Sequence, residues 1–465
     1  MTIRIFRHYL QLALAVVAVV ELLVFFGASF VVSKASISGS RIATNLGSEA
    51  RDAVVYAVVL AISAGAVGLY HARQRSGLAG LLTRIAFAVT AGSIIYAAIA
   101  AVAPAIEVTL LQLLLSASVA FGGALTVRLT FEYVVDDELF KRRVLVYGAG
   151  KRAESIAQLR RRADRRGFVV LGYVATESDR VEDALKAKTL TADVELLEHC
   201  RALLIDEIVV AMDDRRRSFP MYQLLECRLE GVEVTELVTF LERETGKVRL
   251  DVLNPSWFIF SEGFHRGRLH TVLERLFDIF ASLGLLLLTL PVMLLTILAI
   301  KLEDGSRASI LYRQTRVGRY GKGFSVLKFR SMREDAEREG KAVWAMKNDS
   351  RVTRVGAVIR KTRIDELPQI LNVLRGEMSF VGPRPERPEF VSRLSETIPY
   401  YRERHTLKPG ITGWAQLCYP YGSSEQDAVE KLQYDLYYIK NHTLLFYLAI
   451  LLQTVEVILW RKGAR

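Results

Sequence analysis

Cysteine is scarce: Cys200, Cys227 and Cys418 are the only three in 465 residues. They lie far apart without metal-ligand spacing, which argues against a disulfide framework and a zinc site and fits a reducing compartment. There is no internal repeat and no long low-complexity tract, so neither a solenoid nor a disordered scaffold is indicated. Acidic charge is in deficit, with Asp+Glu 50 against Lys+Arg 62 and a net charge of +12. Such an excess suits nucleic acid, an anionic leaflet or phosphate-bearing substrates. Nucleic acid fits least well, because the 51% hydrophobic residues and mean hydropathy of +0.22 come from bunched segments. Those segments are the first 130 or so residues, a window near 276–300 and the C-terminal end, a distribution that indicates membrane segments. The length predicts two or three units with separate cores.

Tyr9–Val32 is a stretch of roughly 24 residues, longer than the core of a signal peptide and without a convincing small-residue cleavage site after it. It reads as a retained span, followed by three more at Ala53–Tyr70, Leu81–Val102 and Ile106–Leu129. Arg4, Arg7 and His8 precede the first span, His71, Arg73 and Arg75 lie between the second and third with Arg84 counted beside them at the start of the third, and Lys141, Arg142 and Arg143 follow the fourth. The positive-inside rule then puts both ends of the bundle in the cytoplasm, although Lys34, Arg41 and Arg51 weaken the bias. Glu21, midway through the first span, is either functional or a neutral, hydrogen-bonded carboxyl between helices.

From Val144 the pattern changes to short β-branched runs alternating with charged helical stretches. Strands are expected at Val144–Tyr147, Phe168–Val174, Glu207–Met212 and Val232–Leu237, and helices at Lys151–Arg162 and Ser218–Leu229. This is the pattern of a small, doubly wound, Rossmann-like α/β domain. Gly148 and Gly150 sit between its first strand and helix, where glycines can admit a phosphate to helix amides. Glu177 is only a late candidate for the ribose-binding acid, so nucleotide binding and a purely structural turn both stay open.

Leu276–Ile300 is again long enough to cross a bilayer. Pro291 interrupts it, and His265, Arg266, Arg268 and Arg275 before it and Lys301, Arg307, Arg313 and Arg316 after it flank both sides with positive charge. Proline removes a backbone donor and clashes with the carbonyl four residues earlier, that of Leu287; Thr289 is placed to help satisfy it. A helix that enters and returns and a fifth, kinked span both fit these residues. The last apolar stretch, Leu444–Leu459, contains Gln453, Thr454 and Glu456 and is short for a span. It reads as a helix at the membrane surface, with Arg461, Lys462 and Arg465 facing lipid phosphates, or as a buried core helix.

Between these segments lies a soluble region dense in Arg, Lys, Gly and Pro. It carries Lys328-Phe-Arg330-Ser-Met332, Arg360-Lys-Thr-Arg363-Ile-Asp365-Glu366-Leu-Pro368-Gln369, Ser379-Phe-Val-Gly382-Pro383-Arg384-Pro385 and Lys408-Pro409-Gly410-Ile-Thr412-Gly413-Trp414. Asp365 and Glu366 are expected to open a helix running to about Leu374, with Gly376 just past its end. Alone, two acids there need do no more than complement the helix dipole. Arg360, Lys361, Arg363 and Arg384 around them form a cationic surround suited to a diphosphate, and paired acids in that surround suit a hard cation such as Mg2+. The helix start is expected to keep Asp365 ionised.

Together with Arg313-Gln-Thr-Arg-Val-Gly318, these motifs make Leu276–Arg465 resemble the catalytic domain of the monotopic phosphoglycosyl transferases. These are the polyprenyl-phosphate hexose-1-phosphate transferases of bacterial sugar-transferase type. Asn254-Pro255-Ser256-Trp257-Phe-Ile-Phe260-Ser-Glu-Gly-Phe264 resembles the exopolysaccharide branch linked to PEP-CTERM and exosortase systems. The resemblance implies four spans (1–135), a Rossmann-like domain (140–240), a linker (241–270) and an α-rich catalytic domain (271–465) with a re-entrant membrane helix at about 272–300. It favours the returning helix, although the family's Ser-Pro break is here Leu290-Pro291. It also implies a multi-pass protein of the bacterial inner membrane with its catalytic domain facing the cytoplasm.

By the same resemblance, Asp365 attacks the sugar-bearing phosphorus of a UDP-sugar, UMP leaves, and polyprenyl phosphate takes the phosphosugar from the carboxylate. Glu366 corresponds to the Mg2+ ligand and Arg360 to a phosphate-holding arginine, while Lys328, Arg330 and Arg384 are expected to line the site. The implied partners are the two substrates, the bilayer and downstream glycosyltransferases; a homo-oligomer is allowed and nucleic acid is not expected. Asp435, Tyr438 and Asn441 match a later family pattern to which no chemical role attaches, so their helix need only pack. Two rival readings use the α/β domain instead: a membrane-tethered nucleotide sensor and a dehydrogenase or sugar-nucleotide epimerase. The first rests on the Gly148–Gly150 turn alone, and the second lacks an acid-base pair beside it.

Overall fold

A computed structural model of the chain describes residues 2–5, 8–37, 46–70, 78–103, 106, 108–135, 141–159, 164, 167–176, 179–190, 195–214, 219–253, 256–261, 263–264, 267–305, 308–333, 351–419, 422 and 424–460. The chain divides into two units, Met1–Trp257 with Leu452–Lys462, and Phe258–Leu451 with Gly463–Arg465. Among the residues singled out above, Arg7, Arg41, His71, Arg73, Arg75, Arg162, Glu177, Ser218, Asn254, Pro255, His265, Arg266, Arg307, Arg461, Lys462 and Arg465 lie outside the described residues.

The first unit opens with a hairpin, β1 (Thr2–Ile5) and β2 (His8–Gln11), then four helices: α1 (Leu12–Ile37), α2 (Leu46–Ala66), α3 (Leu78–Val102) and α4 (Leu110–Val135). Their apolar residues surround Tyr56, Leu60, Ile85, Tyr96 and Ala120, and the Tyr56 and Tyr96 rings meet edge to face at 5.1 Å. Leu23, Ile94 and Leu110 point outward, as lipid-facing residues do. Ala15–Ala35, Leu78–Val102 and Leu110–Phe131 are each long and apolar enough to cross a membrane. The second helix starts earlier than the expected span, at Leu46, and carries Glu49, Arg51 and Asp52 in its first turns.

Glu21 is hydrogen-bonded between helices: both of its oxygens meet Arg128 of α4, with Nε 2.6 Å from Oε1 and an NH2 bond of 2.9 Å to Oε2. Arg128 also donates to the Leu69 carbonyl at 2.7 Å. Arg84 is likewise no loop cation. It is buried in α3, donating to Val67 O and pairing with Glu456, both at 2.7 Å. Apolar surroundings make each such charge dependent on its partner.

The α/β domain consists of β3 (Arg142–Tyr147), α5 (Lys151–Ala157), β4 (Phe168–Val174), β5 (Thr189–Leu190), α6 (Leu196–Leu203), β6 (Glu207–Val210), α7 (Met221–Leu229), β7 (Glu233–Glu236) and α8 (Leu237–Thr245). Its five strands are all parallel in the order β5-β4-β3-β6-β7, that is 3-2-1-4-5 by position in the domain, the order of a doubly wound sheet. Val144, Leu145, Val146, Ile208 and Val209 fill its centre. The elements missed in the sequence are β5, a two-residue strand, and α6 and α8, helices of eight and nine residues. The last helix, α8, packs Phe240 edge to face on Phe168, and its last five residues, Leu241–Thr245, enter the stretch 241–270 expected as linker. Cys200 and Cys227, distant in sequence, bring their sulfurs to 4.0 Å in this core as free thiols, and burial pushes Cys200 up to about 12.

After α9 (Ser256–Phe260) comes α10 (Arg268–Asp304), 37 residues with Pro291 inside. It is followed by an antiparallel pair, β8 (Leu311–Val317) and β9 (Gly323–Phe329), then α11 (Arg354–Lys361), α12 (Gln369–Arg375), β10 (Ser379–Val381), α13 (Pro388–Thr397), β11 (Gly410–Thr412), α14 (Trp414–Cys418), α15 (Glu425–Lys440) and α16 (Leu444–Trp460). Both ends of α10 are fastened within the second unit. Near its start Asp278 accepts from Tyr447 OH at 2.6 Å, Ser379 Oγ at 3.1 Å and the Phe380 amide at 3.2 Å. Near its end Ile300 packs on Phe329 and Ile359, and Glu303 accepts from the Arg354 and Val355 amides that open α11. Between these fastenings Phe280, Leu287, Leu288, Leu294 and Leu295 are exposed. Thr289 does not reach toward the carbonyl freed by Pro291; its hydroxyl donates to Leu285 O at 2.7 Å, one helical turn back from itself.

Removing one member of the Glu21–Arg128 pair strands the other in the bundle. Arg128→Ala should cost about 3–5 kcal/mol, seen as a lower unfolding temperature in detergent, while Glu21→Leu with Arg128→Met together should recover most of it. Equal loss in the single and double variants would refute this.

Candidate active site

The chemistry-bearing motifs come together in the second unit. β9 ends on Lys328 and Phe329, and a helix start is built next to it. Thr353 caps α11 by accepting from the Gly356 amide. At the other end of α11, Arg363 adopts a left-handed φ of 61°, a conformation that costs a non-glycine residue about 1 kcal/mol. That turn throws the chain into a short 3-10 segment, Ile364–Glu366, before α12 begins. The two acids therefore precede α12, with Pro368 as its N-cap residue and Gly376 as its left-handed C-cap.

Glu366 sits under three cations. Lys328 Nζ donates to its Oε1 at 2.9 Å, Arg384 lies 3.8 Å from the same oxygen, and Arg363 is 3.7 Å from Oε2. Burial alone would raise its pKa, but Lys328, Arg384 and Arg363 outweigh that and hold it down to about 2. Asp365, only 8% exposed, goes the other way. Burial pushes its carboxyl above the usual range, Glu366 adds to the rise, and Lys328, Arg360 and Arg363 oppose it. At Asp365 burial thus works against the helix start that was expected to favour its carboxylate. Two neighbouring carboxyls with opposite perturbations are an arrangement that divides roles between them.

Of the residues expected here, Asp365, Glu366, Lys328, Arg360 and Arg384 act on one another. Arg330 donates its main-chain amide to Ile310 O at 2.9 Å, just past the strand carrying Lys328. The glycine-rich motifs have a backbone reason. β10 and β11 run parallel, and a Cβ on Gly382 or Gly410 would strike the main chain of the facing segment. Their close approach stiffens the Gly382-Pro383-Arg384 turn. Arg404 donates to the Arg384 carbonyl at 3.1 Å and is itself paired with buried Asp435 at 2.8 Å. Asp435 thus acts through packing, as do Tyr438, whose hydroxyl bonds Val381 O, and Asn441, which bonds Tyr437 O.

Sequence reasoning missed two residues that set α12. Asn372, fully buried, accepts from the Leu327 amide at 3.0 Å and donates to Ser325 O and Glu377, tying the helix to the strand of Lys328. Arg275 donates to the carbonyls of Val373 and Leu374, each at 2.6 Å, closing the C-terminus of α12. A buried Asn on an apolar helix face was the available signal for the first; Arg275 looked like a membrane-flanking cation.

The Gly148–Gly150 turn is differently disposed. Asp213 accepts from the Lys151 and Arg152 amides at 3.1 and 2.9 Å, and Asp179 accepts from the Ala149 amide at 3.1 Å. The chain's own carboxylates hold the amides that a phosphate would need.

The sequence matches the family model described as bacterial sugar transferase over residues 269–461. The chain is 40% identical over 242 residues, 52% of its own length and 56% of the other's, to a UDP-N-acetylgalactosamine-undecaprenyl-phosphate N-acetylgalactosaminephosphotransferase of Aeromonas hydrophila. It is 34% identical over 325 residues, 68% of its length and 67% of the other's, to a UDP-glucose:undecaprenyl-phosphate glucose-1-phosphate transferase of Klebsiella pneumoniae. With a UDP-galactose-lipid carrier transferase of Erwinia amylovora it shares 30% identity over 383 residues, 76% and 74% of the two chains.

The opposite shifts of the two acids make a test of stability against pH. Glu366, depressed to about 2, contributes stability above its unfolded value of 4.5 and loses it as pH falls toward 2. Glu366→Gln should therefore lower stability at pH 7 by on the order of 2 kcal/mol, with the deficit vanishing near pH 2. Asp365, being raised, costs stability once pH exceeds its unfolded value of 3.8, so Asp365→Asn should be at least as stable as wild type at pH 7. Chemical unfolding followed by tryptophan fluorescence reads both, and a pH-independent Glu366 deficit would contradict the assignment.

Proposed function

The chain belongs to the bacterial sugar transferase family, and from that premise we propose that it moves a hexose 1-phosphate from a UDP-sugar to undecaprenyl phosphate. The products are polyprenyl-diphosphate-sugar and UMP, and the step initiates synthesis of an exopolysaccharide. The observation that carries this reading is the contrast between buried Asp365 and cation-bound Glu366. An Asp365 oxygen attacks the sugar-bearing phosphorus, the bond from that phosphorus to the bridging oxygen breaks, and UMP leaves with the electron pair. An oxygen of the lipid phosphate then attacks the same phosphorus and returns the carboxylate. Burial removes the water that would stabilise Asp365 as an anion, which makes its oxygen a better nucleophile once ionised. Lys328, Arg360, Arg363 and Arg384 supply the charge that phosphoryl transfer needs more than acid-base help.

Glu366 suits a hard cation, being an oxygen donor that stays ionised down to about pH 2, and it would hold Mg2+. When bound, the ion supplies charge neutralisation for the phosphate oxygens. A donor that leaves before the acceptor enters allows one pocket to serve a water-soluble and a lipid substrate in turn.

The same reading places the site at the cytoplasmic surface of the inner membrane, with α10 entering and returning. What supports this is that Asp278 and Glu303, near its two ends, are both fastened in one unit, while the residues between them are apolar and exposed. A crossing helix would need its two fastenings on opposite sides of the bilayer.

Protein quenched during turnover with donor labelled in the sugar-bearing phosphate should carry label on Asp365. Asp365→Asn should carry none and should release UMP at least about a thousandfold more slowly; near-normal turnover in that variant would remove Asp365 from the chemistry. For the helix, Gly267→Cys and Asp304→Cys in a background free of other cysteines should react with an impermeant maleimide from the same face of membrane vesicles. Labelling from opposite faces would mean that α10 crosses.

A further inference from the structure

At the start of α10, away from the acids at 365 and 366, stands a second cluster of metal-ligating side chains. His270 and Glu274 are four residues apart and so share one helix face. His442, just past the C-cap of α15, meets them from 172 positions away. His270 Nε2 is 3.0 Å from His442 Nδ1, and the Glu274 oxygens lie 3.9 Å from His270 Nε2 and 3.7 Å from His442 Nε2. One ligand atom from each residue can be chosen so that all lie within 4.8 Å of one another. We propose that His270, Glu274 and His442 bind one first-row transition-metal ion, Zn2+ or a chemical analogue, which fastens the start of α10 to the end of α15.

The ring geometry favours a common centre over a shared proton. The imidazole centroids are 4.8 Å apart with the rings at 90°. A straight N–H···N bond of this length in the plane of both rings would put the centroids about 5.3 Å apart. Two rings aimed at one ion at about 2.05 Å from each nitrogen, subtending about 94°, would put them about 4.7 Å apart. Glu274 Oε2 is 3.9 Å from the ligating His270 Nε2, and rotation about the glutamate χ angles brings a carboxylate oxygen to the same centre to complete a three-ligand set. His442 is buried at 5% exposure, and the Tyr438 ring stands edge-on to it at 5.0 Å, fixing its orientation. A cavity of about 220 Å³, lined by Glu274, His442, Thr271, Asp278 and Lys408 among others, adjoins the cluster and has room for a water as fourth ligand.

This site is distinct from the one at Glu366. Arg275 lines the same cavity and closes the C-terminal end of α12, whereas Glu366 precedes its N-terminal end. The ligand classes differ as well, two imidazoles and a carboxylate here against oxygen donors there, so Mg2+ should not compete.

The test uses the full chain in detergent, stripped with EDTA and titrated with Co2+ in the presence of millimolar Mg2+. A visible d–d band should saturate at one Co2+ per chain and be displaced by Zn2+. Zn2+ should also raise the unfolding temperature. Glu274→Gln and His270→Gln, at partly exposed positions, should weaken Co2+ binding at least about tenfold without loss of the folded elution profile, and Asp365→Asn should bind it as wild type does. The proposal is overturned if no saturable band forms, if the two glutamine variants bind Co2+ unchanged, or if the band is lost in Glu366→Gln instead. Because the readout is metal binding, its failure leaves the transferase reading standing, and the failure of that reading leaves this one.

Discussion

The fastening of both ends of α10 to one unit is the constraint on which the rest of the second unit depends. A helix of 37 residues would measure about 55 Å if straight, far more than a bilayer core of about 30 Å. Its fastenings are polar and specific at the start, where Asp278 gathers three donors, and mixed at the end, where Ile300 enters a core and Glu303 caps α11. Those same contacts locate the candidate site. Glu303 joins Thr353 in capping the start of α11, and past its end the left-handed Arg363 delivers Asp365 and Glu366. Arg275, three residues before Asp278, closes the other end of α12. The fastening of the long apolar helix and the geometry of the site are therefore one set of interactions.

Within that frame, two neighbouring carboxyls are set apart by environment. Glu366 meets Lys328, Arg384 and Arg363 within 4 Å and is held in its ionised form, while Asp365 is turned into the interior and destabilised as an anion. Under the proposed mechanism the stabilised acid serves charge and the destabilised one attacks. The supporting layer is rigid. Asn372 ties α12 to β9, facing glycines bring β10 and β11 together, and Arg404 on Asp435 holds the carbonyl of Arg384.

The α/β domain illustrates the opposite outcome for a motif. Its strand order is that of nucleotide-binding folds, and its first turn has the glycines, yet Asp213 and Asp179 occupy the amides at that turn. A glycine pattern reports backbone freedom. Whether a ligand or the chain itself uses that freedom depends on side chains some 30 and 60 residues away.

The sequence by itself determined the order of parts: four apolar helices, a parallel α/β domain, a long apolar helix with Pro291, and a basic region carrying the acids at 365 and 366. Local period, breakers and motif spacing are properties of contiguous residues, so they are legible without a fold. Only the tertiary structure decided which charges meet. Glu21 finds Arg128, Arg84 leaves its supposed loop to pair with Glu456, Cys200 reaches Cys227, and His270 and Glu274 meet His442. It also decided that Asp365 is raised, because desolvation depends on what packs around a carboxyl and not on the residues beside it in the chain.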